Sequence, residues 1–147
     1  TTTEEMITIE QRIKKIAEGL GVNYYFGDWQ RINVAGDTGR IDFPLIAYLL
    51  PPSGTVNLSG PGVRETENGV LAFLGLTVFD FEANENNKIV QDMKELMIRF
   101  VNAVNASGEF KPIGGNIRYD VVYDRLDFAV TGVTVSLALQ EAVGKCV

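Results

Sequence analysis

Residues 70–81, VLAFLGLTVFDF, predict a long strand that is apolar as far as Val78 on both of the faces that an extended chain would present. A strand of this length measures roughly 40 Å at ~3.3 Å per residue, whereas most strands have ~5–6 residues. A domain of this size has a radius of gyration of about 15 Å, so the strand must cross the whole body or project from it. One face should pack on helices. The other face needs more protein from the same chain or a neighbouring subunit.

Two segments have the apolar spacing of amphipathic helices. In the first helix, Thr2 and Glu5 predict a capping box at the start, and Gly19 or Gly21 predicts the end of the helix. The second is predicted over residues 85–105, after a cap at Asn84. The apolar stripes consist of Met6, Ile9, Ile13, Ile16 and Leu20 in the first helix, and of Ile89, Met93, Leu96, Met97, Phe100, Val101 and Val104 in the second.

The remaining apolar runs predict strands. Short strands are predicted at residues 22–26, 29–34 and 43–50, a loop at 35–39, and two closing strands at 117–123 and 128–139. In the last strand, Val130 has the opposite parity to Val133 and the apolar residues after it. A β-bulge at Gly132 would reconcile the two parities.

Residues 51–69 contain three prolines and four glycines in 19 residues. Connecting loops in compact domains are usually shorter, so we expect this segment to be mobile or functional. Val56 to Leu58 at its centre could extend the flanking hairpin. The Gly60-Pro61-Gly62 triplet is followed by Val63 and Arg64, and not by the Gly-Lys-Ser/Thr of a phosphate loop, which argues against a nucleotide site.

These elements predict one α+β domain over residues 1–147. We expect an antiparallel, possibly mixed, β-sheet with two amphipathic helices packed on one face. A long hairpin or loop arm at about residues 51–69 completes the predicted fold.

The chain has no histidine and a single cysteine, Cys146. Histidine-based triads and imidazole metal ligands are therefore excluded, and one cysteine cannot form an internal disulfide. Carboxylates occur close together in two groups, which are Asp80, Glu82 and Glu85, and Asp120, Asp124 and Asp127. Either group could bind Ca²⁺ or Mg²⁺, but acids at a helix start are also favoured by the helix dipole. We expect no enzyme activity, no catalytic residues, no cofactor and no metal.

The formal net charge is −6. Such a chain would be repelled by phosphate backbones, so we expect no specific nucleic-acid binding. The charge could line a channel through which DNA passes without sticking, or it could simply support solubility. No apolar run approaches the ~20 residues of a membrane helix, and the polar first residues are unlike a signal peptide. We expect an intracellular origin and no membrane association.

The order of elements resembles the tail terminator proteins, also called tail completion or neck proteins, of long-tailed bacteriophages and related phage-like elements. The similarity lies in the pattern of apolar residues and the order of elements, and it extends over nearly the whole chain. The family has no invariant catalytic signature. The segments that carry it are IEQRIKKIAEGL, FPLIAYLL with its following loop, VLAFLGLTVFDFEAN, NKIVQDMKELMIRFVNAV and IRYDVVYDRLDFAVTGVTVSLAL.

The resemblance implies a homo-oligomeric ring, expected to be a hexamer, at the top of the tail tube. Such a ring stops tube polymerisation, docks to the head connector and passes DNA through its lumen. The implied partners are other copies of this chain, the tail tube protein and head-completion or connector proteins. The implied location is the virion tail or neck, after assembly in the host cytoplasm. Candidate subunit contacts are Val56, Leu58, Arg64 and Glu65 in the arm, with Leu74 and Leu76 on the second sheet face.

Two other interpretations remain open. One is a different virion subunit, such as a tail tube or head–tail joining (stopper) protein, which would be richer in β-structure and lack two long helices. The other is a monomeric α+β domain that binds a small ligand in a pocket under residues 51–69. Trp29 and Tyr48 would line that pocket.

Overall fold

The computed structural model describes residues 8–37, 42–60, 62–77, 84–125 and 130–143. The elements in chain order are α1 (Ile9–Gly19), β1 (Asn23–Gly27), α2 (Trp29–Asp37), β2 (Leu45–Asn57), β3 (Arg64–Leu76), α3 (Asn84–Ser107), β4 (Tyr119–Arg125) and β5 (Val130–Gln140). The five strands form one mixed sheet in the order β1-β2-β3-β5-β4. The β1–β2 pair is parallel and the other three pairs are antiparallel. The α+β class predicted from the sequence is confirmed.

A capping box begins α1. The Thr8 hydroxyl accepts a hydrogen bond from the Gln11 backbone N–H at 3.1 Å, and Gln11 Oε1 accepts one from the Thr8 N–H at 2.8 Å. These bonds satisfy two backbone donors that the helix itself leaves unpaired. The capping box predicted at Thr2 and Glu5 lies outside the described residues. The buried stripe of α1 consists of Ile9, Ile13, Ile16 and Ala17.

The second helix, α2, corrects a prediction. Residues 29–34 were predicted to form a strand and 35–39 a loop, but residues 29–37 are helical. Asp28 precedes the helix, and its carboxylate accepts the Arg31 backbone N–H at 2.8 Å, as an N-cap residue does. Ile32 and Ala35, three residues apart, are buried. A cap and helical spacing therefore outweigh the strand propensity of Trp29 and its neighbours.

Strands β2 and β3 pair from Leu45↔Leu74 to Asn57↔Arg64. Much of the Pro/Gly-rich segment at 51–69 is thus strand and not loop. The register shifts between Leu49 and Ser53, where the two consecutive prolines of β2 have no N–H to donate to the sheet. The strand predicted at 70–81 begins earlier, at Arg64, and ends at Leu76, since Thr77 is not part of it. The predicted continuation through residues 78–81 lies outside the described residues.

Both faces of the sheet are covered around its central strands. On one face, α1 and α3 bury apolar residues together with alternate residues of the central strands, including Tyr48 and Phe73. On the other face, Ile32 of α2 packs in a second cluster. The second cluster consists of Ile32, Leu45, Ala47, Leu49, Ala72, Leu74 and Val130. The second apolar face of β3 is therefore covered, at least between Ala72 and Leu74, by the same chain.

The stripe predicted for the second long helix is confirmed in α3. Its apolar residues Met93, Leu96, Met97, Phe100, Val101 and Val104 are buried, together with Val90. The helix ends at Ser107, before Gly108 with a positive φ of 71°, as expected for a glycine at that position.

The β-bulge predicted at Gly132 is absent from the β3–β5 pair. Pairing between β3 and β5 is continuous from Thr66↔Gln140 to Leu76↔Val130. A register shift does occur in the β4–β5 pair, where it follows the Val122↔Gly132 pair and precedes Arg125↔Val130. The two apolar parities of β5 occur because both of its faces are buried from Val130 to Val133. Gly132 is required because a Cβ there would collide with the Phe73 carbonyl.

Among the described helices, none combines the length and apolar character that crossing a membrane would require.

Candidate assembly surface

The end of the β2–β3 hairpin, residues 53–67, presents large apolar side chains to solvent. Val56 is 56% exposed and Leu58 is 75% exposed. The register places Val56 opposite Glu65 and Asn57 opposite Arg64. β1 stops pairing with β2 at Leu49, so no described strand covers the outer edge of residues 53–57. We call residues 53–67 the hairpin end.

The hairpin end is anchored at Glu65. The Glu65 backbone N–H donates to the Glu141 carboxylate at 2.9 Å, and the Glu141 N–H donates to the Glu65 carbonyl at 3.0 Å. Glu141 is buried, and a guanidinium nitrogen of Arg12 lies 3.7 Å from its Oε2. These contacts connect β3 to the residue after β5 and to α1.

Two tyrosine–glutamate pairs lie on the sheet face that α1 covers. The Tyr48 hydroxyl donates to Glu67 at 2.5 Å, and the Tyr24 hydroxyl donates to Glu10 at 3.1 Å. Burial is the main cause that raises the pKa of both tyrosines well above the ordinary range, and the neighbouring carboxylates raise it further. Both hydroxyls therefore stay protonated at neutral pH and act as hydrogen-bond donors. They hold the hairpin and α1 on the sheet.

The sequence did not reveal either pair. Tyr48 and Glu67 are 19 residues apart, in a segment that was predicted to be mainly loop. Gly69 is the one local signal. A Cβ at Gly69 would overlap the Tyr48 ring, so glycine lets that ring cross β3 towards Glu67.

The predicted contact residues fall into three groups. Val56, Leu58, Arg64 and Glu65 lie together at the hairpin end. Leu76 is 52% exposed but lies at the opposite end of β3, roughly 40 Å from Arg64 at ~3.3 Å per residue. Leu74 is fully buried in the second cluster. A side chain without exposed surface cannot contact another subunit, so Leu74 is withdrawn as a candidate.

The pocket suggested for a small ligand is not formed by its two named residues. Tyr48 belongs to the cluster under α1 and α3, whereas Trp29 packs against the cluster on the opposite face. The sheet separates them. These residues cannot line one cavity.

The carboxylate groups proposed from the sequence do not form a described metal site. Asp80, Glu82 and Asp127 lie outside the described residues, and Asp120 is exposed on β4. In the portions of the chain that the structure describes, no three potential metal ligands gather at one place.

Compared with known protein families and with proteins of curated function, the chain has no significant match.

Proposed function

We propose that this chain is a structural subunit of a ring at the top of a phage tail. The ring would end polymerisation of the tail tube and join the tail to the head connector. The observation that carries this proposal is the hairpin end, where Val56 and Leu58 are exposed beside the charged Arg64. Large apolar side chains that project together from a protein surface are typical of contacts with another protein.

The hairpin end is suited to a head-to-tail contact. A protruding segment of one copy inserts against a different surface of the next copy, and such heterologous contacts close into a ring when the rotation fits. Full burial of a side chain such as Val or Leu contributes about 1.5–3 kcal/mol. Two such side chains contribute about 3–6 kcal/mol to each contact, and the same contact repeats around the ring.

The remaining elements take supporting roles in this proposal. α1 and α3 form the rigid layer on one sheet face, and the hairpin end acts as the arm that reaches the neighbour. The net charge of −6 disfavours attachment of DNA to the ring wall. The partners are the tail tube protein and the head-completion or connector proteins, and the location is the neck of the virion.

The test removes the apolar contact of Leu58 and the charged contact of Arg64 at the hairpin end. The variant Leu58→Asp with Arg64→Glu should keep the circular dichroism spectrum of the wild type but lose ring formation. Light scattering over a concentration series, with negative-stain images, measures assembly. The same samples are mixed with tubes of the cognate tail tube protein, where the wild type should form a ring on the tube end.

A matched control carries the same charge changes elsewhere. Lys14→Glu with Gln91→Asp alters two exposed helix residues and should assemble like the wild type. If the hairpin variant also assembles like the wild type, the hairpin end is not the subunit contact. If the wild type forms no ring even on tubes, the proposed function is wrong.

A further inference from the structure

β4 is an edge strand with an exposed apolar side. It is the last strand in the sheet order, paired with β5 on one side, and no described strand pairs with its outer edge. Tyr119, Val121 and Tyr123 are between 40% and 46% exposed. An edge that combines open backbone groups with exposed aromatic and β-branched residues is a template for another strand.

The exposed side of β4 continues onto α3. Tyr119 is opposite Val135 and Val121 is opposite Val133, so both residues are on the sheet face that α3 covers. The Lys94 ammonium lies 4.5 Å from the centroid of the Tyr119 ring, and Ile98, one helical turn later, is 53% exposed. An apolar strip thus extends from α3 to the open edge of the sheet.

The sequence of β4 is complementary to itself in an antiparallel register centred on Val121. In that register Val121 is opposite Val121 of the second copy, and Tyr119 is opposite Tyr123. Arg118, the residue before β4, is opposite Asp124, which pairs opposite charges on both sides of the centre. Aromatic, β-branched and opposite-charge pairs are the cross-strand combinations that stabilise antiparallel sheets.

Charges on an edge strand commonly prevent pairing, but those of β4 have both signs. Arg118 and Asp120 are highly exposed, with a nitrogen–oxygen distance of 3.5 Å, so their present ion pair contributes little. Residues 119–122 pair regularly with β5 up to the register shift after Val122. The centre of the proposed register therefore falls in the regular part of the strand.

We propose that β4 pairs with β4 of a second copy of this chain, around a two-fold axis through Val121. Two five-stranded sheets would then join into one continuous sheet. This contact is isologous, and it uses residues different from those of the hairpin end. It goes beyond the ring proposal and does not depend on it.

Disulfide cross-linking tests the register. In a Cys146→Ser background, which removes the one cysteine of the chain, Val121→Cys places the two thiols opposite each other at the axis. Directly opposed residues have Cα atoms ~4.5–5.5 Å apart, which suits a disulfide. The control, Asp120→Cys in the same background, places its two Cα atoms about 8 Å apart, which is too far.

Mild oxidation should therefore link the Val121→Cys protein into dimers and leave the Asp120→Cys protein mostly monomeric. Equal cross-linking of both, or of neither, would overturn the register. The yield should not change when Leu58→Asp is added, because that substitution lies at the hairpin end. Loss of ring formation would leave this result unaffected, so the two proposals can fail separately.

Charge exchange gives a second test that does not need cysteine. Arg118→Asp puts like charges opposite each other and should weaken the dimer about tenfold. Adding Asp124→Arg restores opposite charges and should recover most of that loss in sedimentation equilibrium. A wild-type chain that stays monomeric at millimolar concentration would overturn the proposal, and the edge would then be open to a strand of another protein.

Discussion

Tyr48 is buried among residues of α1, α3 and the sheet, and it stacks on Phe26 with ring centroids 5.5 Å apart. Its hydroxyl donates to Glu67 at the base of the hairpin end. A hydrogen bond to a charged group contributes about 1.5–3 kcal/mol when one partner is removed. This single side chain therefore connects the core to the surface proposed for assembly.

The buried tyrosines predict how stability depends on pH. Burial raises the pKa of Tyr24 and Tyr48 in the folded chain above the unfolded value, which is about 10. The contribution of these raised pKa values to the free energy of unfolding is complete below pH ~10. It is lost as the pH rises towards the folded pKa, because the unfolded chain releases these protons first. The loss reaches about 1.4 kcal/mol per pH unit for one fully buried tyrosine.

Urea unfolding between about pH 8 and pH 11 measures this dependence. The informative quantity is the difference in this pH dependence between variants. Tyr48→Phe should be less stable than the wild type at neutral pH and lose stability less steeply above pH ~10. Equal slopes for the two proteins would contradict the assignment.

At the scale of elements, α2 depends on its cap. Asp28→Ala removes the acceptor of the Arg31 N–H and should reduce the free energy of unfolding by about 1 kcal/mol. Faster amide hydrogen exchange should be confined to α2, because the other elements keep their contacts. Urea unfolding and hydrogen exchange measure the two effects.

The matched variant is Asp28→Asn, which keeps a capping oxygen but removes the charge. The Arg31–Asp28 ion pair has an N–O distance of 2.7 Å and is largely exposed, so its loss should matter little. If Asp28→Asn reduces the free energy of unfolding as much as Asp28→Ala does, the ion pair and not the cap stabilises the start of α2.

The same helix shows where prediction from the sequence ends. α1 and α3 were predictable because their stripes of three- and four-residue spacing are long, and the α+β class followed from them and the apolar strand runs. The sequence did not predict α2, because a helix of nine residues has too few turns to show a clear apolar stripe. The strand propensity of Trp29 at its start then favoured the wrong structure. The cap at Asp28, three residues before Arg31, was the overlooked signal.

Contacts distant in sequence account for the other errors. The sequence predicts Pro51 and Pro52 to be loop residues, but a register shift lets a strand contain them. Leu74 was a reasonable contact candidate only while nothing covered the second sheet face, and that cover comes from α2. At the candidate surface, the sequence predicted Val56 and Leu58 as contact residues, and both are exposed. The anchoring of Glu65 by Glu141 could not be predicted, because it joins residues 76 positions apart.

At the scale of the whole molecule, two proposed contact surfaces lie on different strands. The hairpin end belongs to β2 and β3, and the open edge belongs to β4, with β5 between β3 and β4. Two strand spacings separate β3 from β4, which is about 9–10 Å. The two proposed contacts use different strands, and we expect that one copy of the chain can form both of them.

This separation leads to a prediction about independence. Substitutions more than ~7–10 Å apart that share no partner usually have additive effects. Val121→Lys, which puts two ammonium groups opposite each other at the two-fold axis, should abolish the β4 dimer and leave rings intact. Leu58→Asp with Arg64→Glu should do the reverse, and the protein with all three changes should be a folded monomer.

Light scattering on the wild type and these three proteins, with and without tail tubes, distinguishes the possibilities. Loss of rings in Val121→Lys would mean that the β4 edge takes part in ring closure and that the two contacts are one interface. Loss of the dimer in the hairpin variant would show coupling through β3 and β5, since those strands pair along their whole shared length from Thr66 to Leu76. Additive behaviour would instead establish that one sheet carries two separate assembly contacts, one at the end of a hairpin and one along an edge.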